Sequence, residues 1–409
     1  MQTNLNRDNT YLLACSYGPD SMALFGLLLK EKIRFRVAHV NYQMRGAASE
    51  QETKDLIAYC QEHNINIDVM YVDGHQFRGN FQAEARKVRY AFFQSLIKKY
   101  GHAALLTAHH RDDFLETYLM QVSSRRQSFY YGIKAEIEFD GVKVVRPLLS
   151  DYKEDLVKYC IENAVPYTID QSNLTETYTR NKVRHQKLAN MSRQQKELLY
   201  AEISQKNAQI NARERRLLTI FDLRKIDIPL FLSLDLNEKE ALLFLIFSDH
   251  HIQTYFSKNK ALAILALVSS QRQSIFMKVY KHIYFSKYES YFSFIDMNMY
   301  QTYHYRIEAP TRLETPQFTL NLKNQGANQR FALDNYPLSI SPAKAGDTYK
   351  IKTYKKAVNR MYIDMKMPRH LRFIWPVVKN KNGEVIYVPR YRKDYVSRPD
   401  DLFIMKQIL

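Results

Sequence analysis

The chain has 409 residues, too many for one ordinary hydrophobic core, so two or three domains are expected. Its 45% hydrophobic content is that of a globular protein, and no apolar run approaches the roughly 20 residues of a membrane-spanning helix. A formal charge of +18 favours a polyanionic partner, while three widely spaced cysteines (Cys15, Cys60, Cys160) exclude a disulfide framework and offer no zinc or iron–sulfur spacing.

In chain order, a polar stretch over residues 1–8 lacks a signal-peptide core, so a cytoplasmic enzyme or binding protein is expected. Residues 11–15 form an apolar strand, followed by a polar loop, 16–21, and a helix over 22–32. Strands are then expected over 35–41, 67–72 and 104–108, and helices over 49–63, 81–100 and 112–122. This alternation predicts an α/β fold with a parallel sheet covered by helices on both faces, whose ligands sit beyond the carboxyl ends of the strands. Asp151 reads as the N-cap of a helix over 151–163. A long charged helix spans 192–218, and more helix runs to about 268. After Ser274, aromatic and β-branched runs read as hairpins, and the chain ends in a small β-rich region. Three domains follow from this texture: 1–190, a helical 191–272, and a basic, β-rich 273–409. Residues 344–398 alone hold 15 Lys and Arg against 4 acids, +11 of the total charge. A solvated lysine-rich surface and a polyanion-binding tail both fit that count.

The loop after the first strand carries the most chemistry. Amide groups of a loop and a first helical turn have no helical acceptor, and the helix dipole favours negative charge there. Neither G-x-x-x-x-G-K-[ST] nor G-x-G-x-x-G is present. Instead Ser16-Tyr17-Gly18-Pro19-Asp20-Ser21 matches S-G-G-x-D-S with Tyr17 in place of the first glycine. This resembles the PP-loop of ATP pyrophosphatases. The resemblance implies a Rossmann-like catalytic domain over 1–190, with Ser16, Tyr17, Gly18, Pro19, Asp20 and Ser21 at ATP and Asp20 at Mg²⁺. Asp20 or Ser21 would equally serve as an ordinary N-cap.

Further blocks share one order. They are His39-Val40-Asn41-Tyr42 with Met44-Arg45, then Asn80 to Tyr90, then Thr107-Ala108-His109-His110-Arg111-Asp112-Asp113 with Glu116. Arg146-Pro147-Leu148-Leu149, Asp170-Gln171-Ser172-Asn173 and Thr179-Arg180-Asn181-Lys182-Val183-Arg184 follow. In the tail stand Gly346-Asp347, Lys355-Lys356, Met367 to Arg372 and Val385 to Pro389. Together these resemble the tRNA(Ile)-lysidine synthases. The resemblance implies an ATP-dependent ligase acting on tRNA(Ile) with a CAU anticodon. ATP adenylates C2–O of the wobble cytidine, releasing pyrophosphate; the ε-amine of free L-lysine then displaces AMP, and codon reading changes from AUG to AUA. It places Asp113 and Glu116 at the lysine ammonium, His109 beside the nucleotide, His39 at ATP, and Arg89 in the catalytic group. Arg180, Asn181, Arg184, Lys355, Lys356, Arg369 and Arg372 would hold tRNA.

The residues themselves support parts of this. Asp113 and Glu116 are three apart on one helix and share a face. A lysine ammonium, with a reference pKa near 10.4, must lose a proton before it attacks. Asp112 and Asp113 would also cap that helix, and Arg86 and Arg89 would also be solvated helix charges. Tyr17 would either crowd a nucleotide or turn away and leave its amide in the loop. Tyr42 stands where the family has a second histidine, and residues 123–128 lack the family's glycine-containing loop. A tRNA-binding protein with a degenerate ATP fold is one alternative, resting on Tyr17; another is a related PP-loop tRNA-modifying enzyme. A sulfur-transferring enzyme of that kind needs cysteine pairs, which are absent. No heptad run is long enough to argue an oligomeric state.

Overall fold

A computed structural model describes residues 1–44, 46–78, 81–124, 128–139, 141–168, 187–299, 302–323, 328–391 and 402–406. Asn80, Arg45, Arg180, Asn181 and Arg184 lie outside the described residues. The chain divides into two compact units, Met1–Ile210 and Asn211–Leu409.

In the first unit, β1 (Thr10–Ala14) lies between β2 (Arg34–Asn41) and β4 (Leu105–Leu106), and β3 (Ile67–Tyr71) pairs with β2. All of these pairings are parallel, as the alternation requires. Leu12, Leu13, Val37 and Leu105 are fully buried, because helices cover both faces of the sheet. The helices are α1 (Pro19–Lys30), α2 (Ala47–Glu62), α3 (Phe81–Tyr100), α4 (Arg111–Ser123) and α5 (Lys153–Glu162). Gly26 of α1 faces α5 so closely that a Cβ there would meet Val165 at 3.0 Å and Tyr159 at 3.2 Å. Glycine therefore sets how near α5 comes to the loop that starts α1.

Three expectations need correction. The sheet has six strands: β6 (Val142–Val145) continues it in parallel beside β4, and β5 (Glu136–Phe139) closes the edge antiparallel. Two four-residue strands joined at Gly141 (φ +74°) are too short for their pattern to stand out from a loop. The fourth strand is two residues long instead of five, because the chain leaves the ladder to build the turn before α4. Asp151 does not cap α5. Its carbonyl accepts the Arg111 amide at 2.8 Å, Tyr152 takes the cap position, and Asp155 accepts from the Tyr152 amide.

The strand order β3-β2-β1-β4-β6-β5 reverses direction between β1 and β4. Loops leaving the carboxyl ends of those two strands diverge and leave a crevice. The 16–21 loop follows β1, and His109-His110 follows β4. The long helix α6 begins at Arg193 and extends to Ile220. Leu188 and Ile203 pack on Phe114, Leu115 and Tyr118 of α4.

In the second unit, α7 (Ile228–Ser233), α8 (Leu236–Asp249) and α9 (Lys258–Ser269) precede an antiparallel sheet. That sheet comprises β7 (Ile226–Asp227), β8 (Ser274–Tyr280), β9 (Ile283–Tyr288) and β10 (Tyr291–Asp296). A six-stranded and a three-stranded sheet follow, with α10 (Val358–Asp364) beside the former and a core around Trp375, Tyr362 and Phe318. His370 is buried there, with Nδ1 3.1 Å from Ser286 Oγ, and burial pushes its pKa down to about 4. An unfolded histidine titrates near 6.5, so stability from this site is full above that pH and is lost as pH falls toward 4. The acid limb carries on the order of 3 kcal/mol. Urea denaturation of wild type and His370→Gln at pH 7.5 and 4.5 should show a smaller pH difference in the variant; equal differences would remove His370 as the source.

Candidate active site

The 16–21 loop is held by its own hydroxyls. Ser21 Oγ accepts the Ser16 amide at 3.2 Å, donates to the Gly18 carbonyl at 3.0 Å and lies 3.3 Å from Ser16 Oγ. Gly18 occupies the N-cap of α1 and Pro19 its first turn, so neither Asp20 nor Ser21 is the cap. Asp20 and Ser21 amides therefore stand at a helix N-terminus without an intrahelical acceptor. Tyr17 turns away. Its backbone is left-handed (φ +63°), the conformation a glycine would take, and its side chain is buried in the core with Cys15 and Met22. The strain costs on the order of 1 kcal/mol, and burying the ring stabilises by roughly 2 kcal/mol. The tyrosine is accommodated, and the Thr168 amide bonds its carbonyl at 3.0 Å.

His39 does not face the loop's open side. Its Nδ1 is 2.9 Å from the Cys15 carbonyl and its Nε2 is 3.0 Å from Thr53 Oγ1, both within protein. Burial holds its pKa below the usual value. His39 braces the end of β1 against α2, so the expectation of direct nucleotide contact is corrected to support of the strand that carries the loop.

The tightest polar cluster centres on His110, which carries no role in the sequence pattern. It is 1% exposed, with Nε2 3.6 Å from Asp20 Oδ2 and 3.4 Å from Asp113 Oδ2, and Nδ1 3.7 Å from Asp112 Oδ2. Burial opposes its charge, yet its pairing with Asp20 and the carboxylates of Asp113 and Asp112 raise its pKa overall. The doubled histidine before paired aspartates, at a strand-to-helix junction, was the available signal. Asp113 Oδ2 also accepts the His110 amide at 3.0 Å, so it caps α4 as well as facing the cluster. Asp112 serves the neighbouring helices. It accepts the Lys153 amide at 2.9 Å and pairs with Lys196 Nζ at 2.8 Å. Burial opposes ionisation of its carboxyl, but these two partners and His110 hold its pKa below the usual range.

A cavity of about 710 Å³ opens beside this cluster, lined in part by His110, Asp112, Glu116, Val157, Ile161 and Lys196. Glu116 is completely buried, and its place in that lining separates it from Asp113. His109, half-buried, hydrogen-bonds Thr107 Oγ1 through Nδ1 at 2.9 Å. Arg89 of α3 lies near Tyr42; burial raises the Tyr42 phenol's pKa and the Arg89 charge partly offsets it. Tyr42 donates to the Ala85 carbonyl at 3.0 Å. Arg86 lies over the Tyr90 ring, 4.5 Å from its centroid. The three cysteines are buried, and burial pushes Cys60 up to about 12 and Cys160 to about 11, so thiolate chemistry is disfavoured.

In the second unit, Lys355 and Arg369 are exposed. Lys356 forms an ion pair with Asp364 at 2.5 Å. Arg372 is fixed by two bonds to the Met367 carbonyl, at 3.0 and 2.8 Å.

Known proteins similar to this chain share one family. Residues 1–191 match the PP-loop domain family. A tRNA(Ile)-lysidine synthase of Mycoplasma pneumoniae is 36% identical over 260 residues, spanning 62% of this chain and 87% of that protein. Another, from Bacillus licheniformis, is 28% identical over 441 residues, spanning 96% and 90%. Among solved structures, a U34-tRNA thiolase of Methanococcus maripaludis aligns with a TM-score of 0.40 at 14% identity, over 55% of this chain and 76% of that one.

The first unit is thus a PP-loop domain of the ATP-using kind, and the chain is an ATP-dependent tRNA-modifying enzyme. It belongs to the tRNA(Ile)-lysidine synthase family. Among the described residues, no helix is long and apolar enough to cross a membrane.

Proposed function

We propose that this chain ligates free L-lysine to C2 of the wobble cytidine of tRNA(Ile) with a CAU anticodon, in the cytoplasm, forming lysidine, AMP and pyrophosphate. The observation that carries this reading is the convergence of Asp20, His110 and Asp113 at the sheet's switch point, beside a cavity lined by Glu116.

In the first half-reaction the cytidine C2 oxygen attacks the α-phosphorus of ATP and pyrophosphate leaves. Ser16, Ser21 and the amides of Asp20 and Ser21 hold the departing phosphates, whose charge the helix dipole favours. Asp20 Oδ1 is buried without a hydrogen-bond partner among the described residues, and a hard carboxylate oxygen at a phosphate loop suits Mg²⁺. Bound there, Mg²⁺ would neutralise charge developing on the leaving pyrophosphate. His109, which follows β4, and Arg89 of α3 serve the nucleotide and cytidine phosphates.

In the second half-reaction the lysine ε-amine attacks C2, the C2–O bond to AMP breaks, and the ammonium proton goes to the protein. Glu116 holds that ammonium in the cavity and takes the proton, while Asp113 orients His110 and the start of α4. Residues 191–272 connect this domain to a tRNA-binding region over 273–409, where Lys355, Arg369 and Arg372 hold tRNA. Arg180, Asn181 and Arg184 act near the anticodon.

The test is to incubate the protein with ATP, radiolabelled lysine and a CAU-anticodon transcript, and to follow label in RNA and release of pyrophosphate. Both should depend on the transcript. Absence of pyrophosphate above background would leave a degenerate tRNA-binding protein in its place. If the basic tail neutralises phosphates, log Kd for the transcript should rise steeply with log salt; a flat response between 50 and 200 mM would assign the charge to a solvated surface.

A further inference from the structure

Beyond the first unit, the second holds a cavity of about 780 Å³, bordered by Lys344, Arg369, Arg372 and His304, with Phe373 at its edge. Its charge is one-sided, since no carboxylate lines it among the described residues. The nearby acids are already used. Asp347 pairs with Lys379 at 2.7 Å, and Asp364 with Lys356 and Arg360. Arg369 and Arg372 line the cavity together, and burial and the adjacent Arg369 charge hold the Arg372 guanidinium below its usual pKa.

A run of rings reaches the cavity through Phe373. Tyr284 stacks on Phe276 with centroids 4.9 Å apart and planes at 11°, and Phe276 lies 5.9 Å from Phe373. Phe373 is 50% exposed and ends the series at the cavity. Cations that meet a phosphate, next to an exposed aromatic face at the end of a stack, are what a splayed-out nucleotide requires. A duplex stem would use the cations and leave the rings idle, because its bases are already stacked.

We propose that this cavity receives one unpaired nucleotide of the bound tRNA, its phosphate on Lys344 and Arg369 and its base on Phe373. This rests on the tRNA-modifying reading and names a second point of contact for the same substrate. Arg372, held to the Met367 carbonyl, adds its charge to the same wall as Arg369.

The experiment measures Kd of the full chain for a CAU-anticodon transcript. Phe373→Leu keeps apolar bulk but removes the ring, and should raise Kd about tenfold. Phe373→Trp should stay within twofold of wild type. Arg369→Ala should lower the salt slope by about one. A benzoylphenylalanine placed at position 373 should crosslink to an unpaired nucleotide. Binding by Phe373→Leu within twofold of wild type, or crosslinks confined to paired stems, would overturn the proposal. Pyrophosphate release by wild type on the same transcript is scored separately, so loss of the nucleotide site and loss of the enzymatic reading remain distinguishable. Matched thermal melts of the variants exclude a folding defect.

Discussion

Glu116→Gln is expected to stop lysine transfer while tRNA-dependent pyrophosphate release continues. Two carboxylates three residues apart on α4 divide the labour. Asp113 commits Oδ2 to the His110 amide and to the His110 ring, toward the phosphate loop. Glu116 is buried and lines the cavity together with His110 and Asp112. Glutamine keeps the shape and hydrogen bonds but neither balances an ammonium nor accepts its proton. Removal of a general base costs about 10²–10⁴-fold, and loss of the charge partner adds to that. The adenylated transcript should then accumulate and be recoverable as AMP released by hydrolysis. Equal loss of pyrophosphate release and lysine transfer would place Glu116 in the first half-reaction. Asp113→Asn, by contrast, should depress both half-reactions and leave tRNA binding within twofold.

His110→Ala should carry the largest stability penalty of any change at the site. Its ring lies within 3.7 Å of Asp20, Asp112 and Asp113. Asp112 retains Lys196, but Asp20 and Asp113 would face each other across the gap left by the ring. Where the imidazole carries its charge, removing one partner from such a buried set costs about 3–5 kcal/mol. Denaturant unfolding should show this as a lower midpoint with an unchanged slope. Added Mg²⁺ should recover part of the loss if Asp20 binds it, since a cation then stands near the vacated charge. A shift below about 1 kcal/mol would mean that the imidazole is merely a buried filler.

Much of the first unit was legible along the chain. Strand–helix alternation requires only periodicity and turn residues, and the ends of β1, β2 and α3 fall within a residue or so of their expected places. The missed hairpin β5–β6 shows the limit of that method. Four residues of β-branched and aromatic texture gain their identity from the neighbour they pair with, here Leu105 and Leu106 against Val144 and Val145. Asp151 failed as a cap for a similar reason: Arg111, forty residues earlier in the chain, claims its carbonyl.

By itself the sequence determined the chemistry on offer. A hydroxyl-rich loop at a helix N-terminus, carboxylates spaced on a helix face and a cationic tail are local facts, set by residue type and spacing. Which of those groups meet was decided by tertiary structure. Packing of α1 against α5 across Gly26, and the return of the chain through β4, brings His110 to Asp20, ninety positions apart in the chain. The same packing withdraws His39 into the core and turns Tyr17 away from the loop. The physical reason is that periodicity assigns a side chain to a face, whereas the charge state and partners of a buried group depend on every element that closes around it.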